Sequence, residues 1–172
     1  EEILILYILF RGGNGMSYGV GFYGCGFIGK VHIYGYKNLS MFYDPPALNP
    51  ELVGVCTSRK ETAEKAEAQL GFKFSTTDYE DLLNNDQIDI VHCVTPNYLH
   101  HDFVIDAIKA DKHIYCEKPL ALNTEQAESI RKIAEKENYQ KRFQMTHQYR
   151  YSCHLKSKKI NRGRIFGTGL WF

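Results

Sequence analysis

Apolar and polar residues along the chain follow two alternating rhythms. Short apolar runs of strand length recur, and each is followed by a stretch whose apolar positions are spaced as on one face of a helix. Val20–Tyr23 is the first run, and the segment after it has Ile28, Val31 and Leu39 among its apolar positions. Leu52–Thr57 is the second strand candidate, reached through a loop from Asp44 to Pro50. Ser58 reads as the N-cap of the next helix, with Glu61 as its capping-box partner. That helix keeps Ala63, Ala66 and Leu70 on one face and closes at Gly71. Thr77-Asp78-Tyr79-Glu80 repeats the capping signal before a short helix with Leu82 and Leu83. Ile88–Val94 reads as a strand and Leu99–Ala110 as a helix with Phe103, Ala107 and Ala110 on one side. His113–Cys116 is a strand, Asn123 or Thr124 opens a helix to about Asn138, and Phe143–Thr146 reads as one more strand.

Strands alternating with helices of this length predict an α/β fold, a doubly wound parallel sheet covered on both faces. Right-handed crossovers then put every strand's carboxyl end on one edge, where ligands of such sheets bind. The residues that follow the strands are therefore the candidate site.

Gly24-Cys25-Gly26-Phe27-Ile28-Gly29 comes directly after the first strand and opens a helix. In a dinucleotide-binding turn Gly24 makes the tight bend, Gly26 lets the backbone approach a pyrophosphate, and Gly29 allows the helix to sit close on the strand. The second strand ends in Thr57, Ser58, Arg59 and Lys60, with no carboxylate before Glu61. A carboxylate there would hold a ribose 2′-hydroxyl; hydroxyls beside a guanidinium suit a 2′-phosphate, which favours NADP over NAD. A cap serine followed by solvated charges is the alternative. The third strand runs into Thr95-Pro96-Asn97-Tyr98-Leu99-His100-His101. Pro96 stops the ladder, and Asn97 can cap the following helix while facing the crevice. Adjacent histidines on a helix point about 100° apart, so the pair is read without a metal. The fourth strand leads into Glu117-Lys118-Pro119, where Lys118 can meet a substrate oxygen or the three residues can form a plain polar turn.

With 172 residues the chain holds one well-cored domain and little more. A formal net charge of +1 supplies no concentrated positive face for nucleic acid. The five cysteines are widely spaced, which points to a reduced, cytoplasmic setting with neither a disulfide framework nor a zinc site. Ile3–Phe10 is apolar but too short to span a bilayer, and it lacks the marks of a secretory signal. Residues 1–15 are read as a leader outside the fold, with an added edge strand or partner-binding arm as the alternative.

Taken together, Gly24–Gly29, Thr95-Pro96-Asn97 with Leu99-His100, and Glu117-Lys118-Pro119 resemble the glucose–fructose oxidoreductase / inositol dehydrogenase (Gfo/Idh/MocA) family. The likeness spans Met16 to Gly167, and the Glu-Lys-Pro segment is its most specific part. It implies a Rossmann domain over residues 16–150 that binds NAD or NADP, and residues 151–172 as the first helix and strand start of a second α+β domain. Gln148–Ser152 would be the crossover, Leu155–Ile160 that helix, and Arg164–Phe166 the approach to the strand. The resemblance also implies that Lys118 lies between nicotinamide and substrate, that Pro119 follows a cis bond, and that Thr95, Asn97 and His100 line the cofactor cleft. A small-molecule substrate, a sugar, cyclitol or related hydroxyl or ketone compound, is implied, as is a homo-oligomer for a full-length member. The family's proton-transfer histidine and its aspartate lie later in the second domain, and neither His147 nor His154 is promoted to that role. The chain is accordingly expected to hold a nucleotide without turning over substrate. The alternatives are a non-catalytic NAD(P)-sensing protein and a gene fragment.

Overall fold

The structure, a computed structural model, describes residues 17–42 and 49–146. The readings for residues 1–16, most of the Asp44–Pro50 loop, and everything from His147 onward lie outside the described residues.

Six strands form one parallel sheet: β1 (Ser17–Tyr23), β2 (Asn49–Cys56), β3 (Phe74–Thr76), β4 (Ile90–Cys93), β5 (His113–Cys116) and β6 (Phe143–Met145). They are ordered β3-β2-β1-β4-β5-β6, so the path runs from β1 in the middle to one edge and returns to wind from β4 toward the other. This is the doubly wound arrangement with its switch point between β1 and β4. The connecting helices are α1 (Phe27–Lys37), the short α2 (Leu39–Phe42), α3 (Lys60–Leu70), α4 (Glu80–Leu83), α5 (His100–Lys109) and α6 (Thr124–Lys136). One core gathers Val53, Leu82, Ile88, Val91, Phe103, Val104, Ile108, Ile114 and Ile130 on one face. The other holds Val20, Phe22, Ile33, Tyr36, Leu39, Val55, Phe72 and Ile90. Val20 and Val55 point one way and Val53 the other, the alternation that makes a central strand apolar throughout.

Several elements differ from the pattern-based expectation. β3 was not expected; three residues are too few to show a period of two. β2 begins at Asn49 and takes in Pro50, which is tolerated because β3 joins β2 only from Gly54 onward, leaving the start of β2 unpaired on that side. The face that α1 buries is Gly29, His32, Ile33 and Tyr36, while Ile28 and Val31 are exposed. Gly29 sets that rotation: a Cβ there would stand 3.2 Å from Val94 Cγ2 and 3.3 Å from the Gly24 carbonyl, so α1 lies against the turn on this side.

The helix caps agree with the pattern at two ends and depart from it at three. Arg59, not Ser58, is the N-cap of α3, and no side chain caps it. The hydroxyls of Thr57 and Thr62 meet at 2.6 Å, and both lie within reach of the Arg59 carbonyl at 2.9 and 2.8 Å. This pairing tightens the turn one residue further on than the box predicts. At α4 the side chains that serve are Asp78, accepting the Glu80 N–H at 2.9 Å, and Thr76, accepting the Asp78 N–H at 3.0 Å, rather than Thr77. Asn97 caps nothing through its side chain; it opens a 3-10 turn, Asn97–Leu99, from which α5 starts at His100. Asn123 does cap α6, accepting the Gln126 N–H at 2.9 Å, and Gly71 closes α3 in the left-handed region with φ 76°.

Candidate functional site

Tyr23 stands opposite Cys56 on one side and Cys93 on the other, and Cys93 stands opposite Cys116. The ladder continues one step past the strands, with Val94 N–H donating to Tyr23 O at 3.0 Å and Glu117 N–H to Cys93 O at 2.8 Å. Gly24 N–H donates back to Cys56 O at 2.9 Å. Gly24, Thr57, Val94 and Glu117 therefore leave the sheet in a row at one edge. The four segments singled out from the sequence come together there because parallel strands in register must end together.

The glycine turn carries the local logic of an anion site. Gly24 has φ 98°, and a Cβ there would lie 2.9 Å from the Val94 carbonyl oxygen, so both backbone and space exclude a side chain. Gly26 is the N-cap of α1, no side chain caps it, and a Cβ built there meets nothing within 4 Å. The start of α1 thus has no side-chain cap and open space beside Gly26, with the positive end of the helix dipole there, which suits a diphosphate. Phe27 and Ile28 are exposed beside it, and Cys25 is partly buried, its thiol pushed up by burial. Across the switch point, Thr95 and Asn97 are partly exposed and Pro96 is exposed. At the end of β2, Ser58 and Arg59 are exposed and Thr57 is half-buried.

The Glu117-Lys118-Pro119 turn is held from two sides. The Lys118–Pro119 bond is cis, and both residues are exposed. Glu117 Oε2 accepts the Lys118 N–H at 3.0 Å, and its Oε1 lies 3.3 Å from His32 Nε2 on α1. Burial acts to raise the Glu117 carboxyl, but His32, the Lys118 N–H and the Thr146 hydroxyl outweigh it and hold the group below its ordinary value. His100, fully buried on α5, sets Nδ1 2.8 Å from Pro119 O and Nε2 2.9 Å from Thr95 O. Its ring thus ties the loop after β4 to the turn after β5.

His100 also has two thiol neighbours. Among the described residues, Cys93, His100 and Cys116 form a buried trio whose donor atoms lie within 4.8 Å of one another. The adjacent-histidine pair drew attention in the sequence, yet the structure groups one histidine with two strand cysteines instead. Both ring nitrogens of His100 face carbonyls, and the two thiols share one hydrogen-bonded contact in which Cys93, against the effect of burial, is held down by Cys116 and Thr95 and Cys116 is pushed well up by Cys93 and burial. An imidazole with both nitrogens so occupied is a poor ligand.

His32 and His92 escaped the sequence reading. A signal existed for the first: His32 stands three residues after Gly29 and so shares its helix face. His92 gave none, being one polar position inside an apolar strand.

A central glycine turn, an uncapped helix start and a switch point at one sheet edge define the class: dinucleotide-binding α/β proteins of the Rossmann type. The model of the Gfo/Idh/MocA oxidoreductase family, NAD-binding Rossmann fold, matches residues 18–147, and the chain belongs to that family. It is 37% identical over 111 residues to levoglucosan dehydrogenase of Pseudarthrobacter phenanthrenivorans, covering 64% of this chain and 28% of that protein. Similarity to inositol 2-dehydrogenase/D-chiro-inositol 3-dehydrogenase of Lactiplantibacillus plantarum is 36% over 112 residues, 64% of this chain and 30% of the relative. Among solved structures, levoglucosan dehydrogenase in complex with NADH and levoglucosan superposes with TM-score 0.69 at 33% identity, over 74% of this chain and 34% of that one. An NAD-binding oxidoreductase from Klebsiella pneumoniae gives TM-score 0.76 at 32% identity, over 84% and 38%. The chain thus spans about a third of the length of these relatives. No helix among the described residues is long and apolar enough to cross a membrane.

Proposed function

We propose that this chain is the nucleotide-binding part of an NAD(P)-dependent oxidoreductase that moves a hydride between nicotinamide and a sugar, cyclitol or related hydroxyl or ketone compound. The observation that carries this is the convergence of the glycine turn, the Thr95–His100 segment and the Lys118–Pro119 turn on one edge of the sheet. The bound nucleotide supplies the hydride chemistry. Gly24, Cys25, Gly26, Phe27, Ile28 and Gly29 hold its phosphates on the start of α1. Thr95, Pro96, Asn97, Glu117, Lys118 and Pro119 border the nicotinamide half, with His100 bracing them from beneath. Lys118, exposed and without an ion pair among the described residues, donates from Nζ to the substrate oxygen and favours negative charge there. A group outside residues 17–146 moves the proton. No metal takes part. Residues 16–150 are the nucleotide domain and residues 151–172 belong to a substrate domain. The setting is cytoplasmic, the partner is a small molecule, and full-length forms pair with copies of themselves.

NADP is the preferred nucleotide, with NAD second. The support is the end of β2, where Ser58 offers an exposed hydroxyl and Arg59 an exposed guanidinium with no carboxylate beside them, while the Thr57 hydroxyl, engaged with Thr62 and the Arg59 carbonyl, shapes the turn. Arg59→Ala is expected to weaken NADPH binding by about tenfold or more, the scale of a charge-assisted hydrogen bond, while NADH changes little. Fluorescence titration of both nucleotides measures this. Equal losses would remove the 2′-phosphate assignment, and absence of binding by either nucleotide would remove the oxidoreductase reading itself.

A further inference from the structure

Behind Glu117 lies a buried polar chain whose tyrosine and two histidines the proposed function leaves unused. Tyr36 Oη is 2.5 Å from His92 Nε2, His92 Nδ1 is 3.4 Å from His32 Nδ1, and His32 Nε2 is 3.3 Å from Glu117 Oε1. Every member is buried: Tyr36 is 3% exposed, His92 1%, His32 5% and Glu117 9%. His92 is sandwiched between the Phe22 ring at 4.5 Å and the Tyr115 ring at 4.8 Å, so it has no freedom to turn away. Burial of this kind is costly unless each polar atom finds a partner.

The carboxylate end sets the direction of the bonds, since the Tyr36 hydroxyl can either donate or accept. An ionised Glu117 can only accept, and its second oxygen already takes the Lys118 N–H. The approach of His32 Nε2 to that carboxylate, at ion-pair distance, places a proton on Nε2, and in a singly protonated ring Nδ1 is left to accept. His92 then donates from Nδ1, and its bare Nε2 accepts the Tyr36 hydroxyl. Burial, with the His32 ring next, holds His92 well below the ordinary histidine range, which agrees with a ring carrying one proton.

We propose that His32 is a positioning residue for the hydride-transfer turn: anchored by His92 and Tyr36, it holds the Glu117 carboxylate that in turn holds the Lys118 backbone N–H. The inference rests on the reading that this turn borders the nicotinamide. It links the helix that receives the phosphates to the turn that receives the reacting ring. With His100 gripping Pro119 O from the opposite side, the turn is clamped by two histidines from two helices. Leucine at position 32 would leave the carboxylate one donor short and the His92 N–H without an acceptor; glutamine supplies both a donor and an acceptor.

Two measurements on the 172-residue chain test this. Long-range 1H–15N correlation of the histidine rings is expected to show His32 protonated at Nε2 and His92 at Nδ1. The opposite tautomer at either ring, or a doubly protonated His32, overturns the hydrogen-bond chain. In the second, NADH and NADPH are titrated beside ADP-ribose, which lacks the nicotinamide. His32→Leu is expected to weaken the nucleotide preferred by the wild type about tenfold and ADP-ribose less than about twofold, with His32→Gln within about threefold of wild type. Equal weakening of ADP-ribose and dinucleotide would assign His32 to helix packing alone and overturn the positioning role. Wild-type chain that binds neither dinucleotide would reject the underlying cofactor reading and the positioning role with it, whereas the tautomers decide the hydrogen-bond chain in either case.

Discussion

His92 makes the stability of this domain depend on pH in a calculable way. In the unfolded chain its imidazole takes up a proton near the ordinary value of 6.5, whereas in the fold burial and the neighbouring His32 push that value well down. Below pH 6.5 the unfolded state therefore binds a proton that the native state refuses, and stability falls as the pH falls. The slope is about 1.4 kcal/mol per pH unit until the folded ring itself protonates. Between pH 7 and pH 5 the loss from this one residue reaches up to about 2 kcal/mol, a sizeable share of a typical domain stability of about 5–15 kcal/mol. His113, lowered by burial and by Lys141, acts in the same direction over the same range. Glu117, held below 4.5, adds its own loss only in more acid solution. The assay is urea denaturation at pH 7 and pH 5 for the wild type and His92→Gln. The variant can keep a donor and an acceptor for His32 and Tyr36 but cannot titrate. Its absolute stability is not the readout; the difference in pH dependence is, and it is expected to be up to about 2 kcal/mol smaller than in the wild type. Identical pH dependence in the two proteins would refute the claim that His92 is buried neutral.

Two further expectations concern the elements that shape the site. Gly24→Ala puts a Cβ 2.9 Å from a backbone oxygen at φ 98°, neither of which can relax cheaply, so a loss of about 2–4 kcal/mol in urea melts is expected. A change below about 0.5 kcal/mol would contradict the steric account. Asn123→Ala removes the acceptor for the Gln126 N–H at the start of α6 and is expected to cost about 1 kcal/mol by thermal or urea unfolding, with the glycine turn and nucleotide binding untouched.

How much of this was legible beforehand depended on the range of the interaction. β1, β4 and β5 were visible as apolar runs, and the Gly24–Gly29 turn was visible as spacing, because both are written in consecutive residues. The Asn123 cap was readable for the same reason. The Ser58 cap misled because Thr57 and Thr62, five residues apart, close the turn around Arg59 instead. Asn97 misled because a 3-10 turn intervenes and delays the helix to His100. β3 is held by its pairing to Gly54–Cys56 rather than by any pattern of its own.

From the sequence alone followed the alternation of the longer strands and helices, the parallel sheet, and the row of segments emerging at its carboxyl edge, since periodicity and chain handedness settle those. Tertiary packing decided the rest. Close contact at Gly29 chose which face of α1 turns inward, and so carried His32 to Glu117, far away in the sequence, and to His92 on a different strand. The same packing put His100 between two carbonyls rather than into an open cleft. Side chains so distant along the chain meet only once the sheet is assembled, and burial then compels each polar atom to find a partner.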